Sequence, residues 1–167
     1  MIPLVVPNLN GREAEYLQQC IKTTFVSSIG PFVERFEGVV ANATGVSQAV
    51  AVSSGTSGLH AALVAVGVGR DDLVVLPSFT FIASANAIAY CGASPWLFDV
   101  TEESWTLDPA LLTKHFETET YQKNGRLIHK ETGRRVAAVM PVYTFGMPAD
   151  MDAIVKITND YNLPVIA

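Results

Sequence analysis

The 167-residue sequence predicts an α/β fold: a three-layer sandwich in which a mostly parallel sheet is covered by helices on both faces. Three observations carry that expectation. Short apolar runs at Ala49–Val52, Leu73–Leu76, Ala93–Phe98, Val136–Met140 and from Pro164 onward have the length and continuity of strands buried on both faces. Between most of them lie stretches with apolar residues at helical spacing, so strand and helix alternate. A composition of 49% hydrophobic and 16% charged residues is enough to fill one sizeable core.

Taken in order, residues 11–25 carry Tyr16, Leu17, Cys20, Ile21 and Phe25 near helical spacing. Ile29-Gly30-Pro31 interrupts before a second helical pattern through Phe32, Phe36, Val39 and Val40. Residues 1–45 therefore read as an N-terminal helical pair. The turn from Thr24 to Gly30 is rich in small polar residues, and is either a plain connector or a binding loop. Next comes the strand at Ala49–Val52, a tight turn at Ser53-Ser54-Gly55-Thr56, and a helix over 57–67. Gly67-Val68-Gly69-Arg70 follows a helix and precedes a strand, which is backwards for a dinucleotide-binding fingerprint and right for a helix C-cap turn. Residues 80–91 form a further helix, and Asp108-Pro109 supply an N-cap and first position for another through about His115.

From Glu117 to Arg135 charges and two turn dipeptides, Asn124-Gly125 and Thr132-Gly133, break the rhythm. Residues 117–135 thus read as a charged surface insertion or hairpin. A helix over 149–161, with Met151, Ile154, Val155 and Ile157 inward, leads to the last strand. A chain that stops inside a core strand is expected to be incomplete.

The net charge of −5 is spread along the chain, so nothing resembles an electrostatic footprint for nucleic acid. Cys20 and Cys91 are far apart and the three histidines isolated, so neither a disulfide framework nor a metal site is expected. No basic leader precedes an apolar core and no apolar run could cross a bilayer, which predicts a cytoplasmic protein without a membrane partner. No Walker A, HExxH or GxSxG pattern occurs.

Three strand-to-helix turns carry the chemistry. At Ser53–Ser57 the helix start offers unpaired N–H groups and Gly55 presents no Cβ, which suits an anion such as a phosphate; ordinary capping by Ser54 or Thr56 explains the same residues. Pro77-Ser78-Phe79-Thr80-Phe81 sets two aromatics at a second turn, where they either cover a flat heterocycle or fill the core. The third turn runs from Val142 to Met151. Ligands of α/β sheets sit at the carboxyl ends of strands, so three such turns suggest one pocket.

Ser53-Ser54-Gly55-Thr56, Pro77 to Ser84 and Phe145-Gly146-Met147-Pro148-Ala149-Asp150-Met151 together resemble, in order and spacing, the DegT/DnrJ/EryC1/StrS family. Ile2-Pro3-Leu4, Phe25-Val26-Ser27-Ser28 and Gly30-Pro31 look like it too, and the charged excursion before Arg134-Arg135 looks like its legionaminic-acid-type subgroup. The resemblance implies the N-terminal part of the large domain of a fold-type-I transferase that uses pyridoxal phosphate. It further implies transfer of an amino group from a donor such as glutamate to a nucleotide-linked keto sugar, in amino-sugar and polysaccharide biosynthesis. Gly55, Thr56 and Ser57 would meet the cofactor phosphate, Ser57 standing where alanine is usual, and Phe81 would stack on the pyridine ring. Thr24, Phe25, Val26 and Ser27 would line the sugar-nucleotide site, in this family often shared across a homodimer interface.

The family's Schiff-base lysine and its pyridine-nitrogen aspartate both come later than Ala167. Lys22, Lys114, Lys123, Lys130 and Lys156 match no lysine motif of the family. The chain alone is therefore expected to lack catalytic residues and activity. A sugar dehydratase of the same family, with histidine for the lysine, and a short non-catalytic paralogue are the competing expectations.

Overall fold

The computed structural model describes Pro3 and residues 6–167, so Ile2 and Leu4 of the family-like opening lie outside the described residues. The chain divides into two compact units, the first ending at Ala51 and the second starting at Val52.

The first unit contains α1 (Glu13–Thr23) and α2 (Pro31–Thr44). Thr24 ends α1 in the left-handed region at φ 62°, and Gly30, at φ 129°, precedes Pro31 as first residue of α2. A Cβ on Gly30 would stand 2.8 Å from the Phe25 ring, so only glycine fits this turn. Tyr16 packs on Phe32 with ring centroids 5.2 Å apart, and the guanidinium groups of Arg12 and Arg35 lie over the Tyr16 ring. No residue of either helix is buried, and Leu17, Ile21, Phe36 and Val39 are all more than half exposed.

The strand expected at Ala49–Val52 does not form. Its apolar composition suits a buried strand, but a strand needs a ladder partner for its backbone, and none pairs with it among the described residues. Val50 is 80% exposed, and the Ala51 N–H donates to the Glu37 carboxylate at 2.8 Å instead.

The second unit is built from α3 (Gly55–Ala65), β1 (Leu73–Pro77), α4 (Ile82–Tyr90), β2 (Ser94–Phe98), α5 (Pro109–Glu119), β3 (Thr120–Lys123), β4 (Arg126–His129), β5 (Arg135–Val139) and α6 (Met151–Asp160). Its sheet has the order β2-β1-β5-β4-β3, parallel across β2, β1 and β5 and antiparallel through the hairpin. Val74 and Leu76 of β1 point to one face with Leu63 of α3 and Ala87 and Ile88 of α4. Leu73 and Val75 point to the other, with Leu112 and Phe116 of α5 and Ile154 of α6. This period-two division produces the three layers.

Four local expectations need adjustment or bear comment. Of the two readings of the 117–135 segment the hairpin is the one that forms: α5 continues to Glu119, and the β3–β4 hairpin joins the main sheet through Leu127 opposite Val136. Asn124 and Gly125, at φ 52° and 72°, make its turn, and the burial of Leu127 and His129 among charged neighbours holds it there. Val155 lies outward at 39% exposure, because the inward face of α6 runs through Ile154 and Thr158. Beyond Pro164 only Val165 bridges to Val139. Gly67-Val68-Gly69 is the C-cap turn expected, with the Val68 N–H returning to the Leu63 carbonyl.

Asp108 caps α5 by accepting from the Ala110 and Leu111 N–H groups at 2.7 and 3.4 Å. Replacing it with alanine leaves those donors to water, and Asp108→Ala should lower unfolding stability by about 1 kcal/mol in urea titrations. A change below a few tenths would show that Pro109 alone sets the helix start.

Candidate functional site

The N-terminus of α3 is capped from its own sequence. Ser54 sits in extended conformation and its hydroxyl accepts from the Ser57 N–H at 3.2 Å. The Ser54 and Ser53 hydroxyls also lie 3.0 and 3.3 Å from that of Ser57, so three hydroxyls gather at this helix end. Capping uses the Ser57 N–H but not those of Gly55 and Thr56, for which no acceptor is found among the described residues. A Cβ on Gly55 would meet nothing within 4 Å. The helix start therefore offers two backbone donors, a hydroxyl cluster and open space, complementary to an anion and aligned with the helix dipole. Ser57 would contribute its side chain to such an anion, since its N–H is occupied.

A second cluster forms where the parallel strands end. Phe79 follows β1, Trp105 follows β2 and Phe145 follows β5, yet the three rings meet: Phe79 lies 5.2 Å from Trp105, edge to face, and 6.2 Å from Phe145. The Ser78 N–H donates to the Phe98 carbonyl at 2.7 Å and the Met140 N–H to the Val75 carbonyl at 2.9 Å, which holds the ends of the three strands together. The backbone here is unusual. Trp105 and Phe145 occupy the left-handed region at φ 58° and 52°, which a bulky side chain rarely adopts. Phe79, Thr80, Phe81 and residues 142–145 line a hollow of about 360 Å³, and residues 103–105 and 144–148 a neighbouring one of about 580 Å³.

The Phe79 and Phe81 rings do not fill the core. Phe81 is the N-cap residue of α4 and is 78% exposed, and Phe79 is 39% exposed. A flat apolar ring held at a strand end in this way is a stacking surface. The 77–81 and 142–151 turns thus come together at one sheet edge, joined by the Trp105 turn. Thr56 and Ser57 line a separate hollow of about 490 Å³ with His60, Ala61, Val64, Ala65 and Tyr90. Both helix starts belong to the layer formed by α3 and α4 on one face of the sheet.

Thr24, Phe25, Val26 and Ser27 belong to the first unit. There the Val26 N–H donates to the Thr24 carbonyl at 2.9 Å, and Phe25 and Val26 are 49% and 75% exposed. Trp105 and Thr144 are not distinguished by sequence, because a left-handed backbone and a buried hydroxyl leave no mark in composition or spacing. Among the described residues no cluster of three or more His, Cys, Asp or Glu could hold a metal ion, and no helix is long and apolar enough to cross a membrane.

The family model of the DegT/DnrJ/EryC1/StrS aminotransferases matches residues 7–167. A GDP-perosamine synthase of Caulobacter vibrioides is 39% identical over 99% of this chain and 40% of its own length. The putative pyridoxal phosphate-dependent aminotransferase EpsN of Bacillus subtilis is 35% identical over the same shares of each. Among solved structures, a DegT/DnrJ/EryC1/StrS aminotransferase from Brucella abortus superposes with a TM-score of 0.81 at 27% identity, over 92% of this chain and 39% of that one. The chain spans about 40% of the length of the curated relatives it matches. The match over residues 7–167 shows that the chain belongs to the DegT/DnrJ/EryC1/StrS aminotransferase family.

Proposed function

We propose that the intact protein carrying this chain is a pyridoxal-phosphate-dependent aminotransferase that moves an amino group from a donor such as glutamate to a nucleotide-linked keto sugar. The observation that carries the reading is the start of α3, where the Gly55 and Thr56 N–H groups have no acceptor among the described residues and three serine hydroxyls gather beside open space. Phe81, exposed at the next strand end, supplies the matching surface for a planar ring. These residues fit a phosphorylated heterocycle, and two relatives carry the corresponding chemistry in their names: a GDP-linked sugar in one and pyridoxal phosphate in the other.

In this reading Gly55, Thr56 and Ser57 hold the phosphate and Phe81 covers one face of the ring. Bound there, the cofactor supplies an electron sink for amino transfer. Thr24, Phe25, Val26 and Ser27 line the sugar-nucleotide site, and the half-exposed apolar stripes of α1 and α2 are surface that a second copy in a homodimer would cover. Residues 1–167 form the N-terminal part of the cofactor-binding domain, working in the cytoplasm. No lysine lines any of the three hollows, so in this reading the reacting amine comes from the rest of the intact protein, as does the ring-nitrogen carboxylate that the family resemblance implies, and residues 1–167 alone are inactive.

Titrating the intact protein with pyridoxal phosphate, followed by absorbance and by quenching of tryptophan fluorescence, tests the reading. Saturable one-to-one binding is expected. Phe81→Ala should weaken it roughly 3- to 10-fold, the value of one aromatic stack. A wild-type protein that does not bind pyridoxal phosphate is not an enzyme of this class.

A further inference from the structure

Among the described residues, one buried side-chain polar atom has no hydrogen-bond partner: Oγ1 of Thr144. Thr144 is 9% exposed and lies in the single 3-10 turn Thr144–Gly146 that follows β5, where it borders both the 360 Å³ and the 580 Å³ hollows. A hydroxyl buried without a partner opposes folding. The next residue adds a second unfavourable feature. Phe145 is left-handed at φ 52° and 94% exposed, so its backbone is strained while its ring, 6.2 Å from that of Phe79, stays largely in water. Gly146 is left-handed at φ 83°, and a Cβ placed on it would meet nothing within 4 Å, which gives the turn room to change.

Two costs in consecutive residues, at the mouth of a ligand-sized hollow, mark a segment whose best partner is a ligand. We propose that Thr144 is a cofactor-binding residue and that the Thr144–Gly146 turn rearranges on binding, giving the Thr144 hydroxyl a polar atom at the edge of the planar heterocycle and bringing the Phe145 ring out of water. This rests on the cofactor reading above and extends it to a residue and a motion. The rearrangement is required because the hydroxyl is covered in the present arrangement. Of the other polar side chains on the 360 Å³ hollow, Thr80 is not an orphan, since its hydroxyl lies 3.1 Å from that of Ser84. Tyr143, half-exposed, reaches water.

The proposal predicts effects of opposite sign for one substitution. Thr144→Val keeps the shape and removes the hydroxyl, so the ligand-free intact protein should melt at a higher temperature than wild type. Its affinity for pyridoxal phosphate should fall about 5- to 10-fold, with a correspondingly smaller rise in melting temperature on adding the cofactor. Thr144→Ser, which keeps the hydroxyl, should restore most of the affinity. Equal affinity and equal thermal shift in wild type and Thr144→Val would overturn the proposal while leaving the cofactor reading intact. So would a loss of ligand-free stability in Thr144→Val, which would mark an ordinary structural hydroxyl. A wild-type protein that ignores pyridoxal phosphate overturns both.

Discussion

Phe116→Ala should lower the unfolding stability of the second unit by about 3–5 kcal/mol, read as a shift of the urea midpoint at unchanged slope. Phe116 is 1% exposed on the inward face of α5 and touches both its neighbours in that layer. Its ring lies 6.0 Å from Trp96 and 6.5 Å from Phe98, both on β2, and 5.0 Å edge to face from Tyr161 just past α6. Truncation removes the group that bridges helix, sheet and second helix. A second readout follows from Tyr161, whose phenol is pushed up chiefly by burial, with Glu117 and Asp160 adding to it. In Phe116→Ala that burial is relieved, so the Tyr161 phenol should titrate at lower pH than in wild type. Phe116→Leu, which refills most of the volume, should cost less than half as much. A loss under about 1 kcal/mol for the alanine variant would mean that the layer is not packed as described. The effect reaches the site, since β2 leads into the turn that sets Trp105 against Phe79.

The alternation of short apolar runs with helical periods is enough to read the three layers, because strand burial and helix amphipathicity are written in residues two to four apart. Capping is equally legible: Asp108 and Ser54 act as their types predict. What stays hidden depends on partners distant in sequence. Ala49–Val52 has strand composition but no ladder partner among the described residues, and composition cannot report a partner. The 117–135 segment reads as either an insertion or a hairpin because Lys123, Arg126 and Lys130 outnumber its buried Leu127, yet Leu127, His129 and the pairing to β5 decide where it goes. At the site, the turns after β1 and β5 are visible as small and aromatic residues. The Trp105 turn is not, since its role follows from a left-handed backbone and a contact with Phe79.

The charged pair between Arg135 and Asp72 belongs to the same hidden class, and breaking it should be nearly as costly as opening the aromatic layer. Asp72 is 9% exposed at the start of β1, and its carboxylate accepts from Arg135 Nε at 2.9 Å, from Arg135 Nη2 at 2.5 Å and from the Gly69 N–H at 2.8 Å. Arg135 also donates to the Gly67 carbonyl at 2.6 Å, so one side chain ties the start of β5 to the turn before β1. Arg135→Met strands a buried carboxylate with a single remaining donor. Breaking a fully buried pair costs about 3–5 kcal/mol; with the Arg135 side chain 30% exposed, water recovers part of this and about 2–3 kcal/mol is expected. Arg135→Lys should not rescue it, because an ammonium cannot reproduce the two-pronged contact. The double variant Asp72→Asn/Arg135→Met should recover at least about 1 kcal/mol relative to the sum of the single changes, the signature of direct coupling. pH cannot substitute for mutation on the arginine side. Its hydrogen bond to Asp72 raises the Arg135 pKa above the ordinary value, so the stability it contributes is fully present below that value and is lost only as pH rises through the raised one, beyond the range in which folds survive. Urea midpoints of the four proteins should therefore keep the same spacing from about pH 7 to pH 9, and additive losses in the double variant would show that the pair is a surface contact of no consequence.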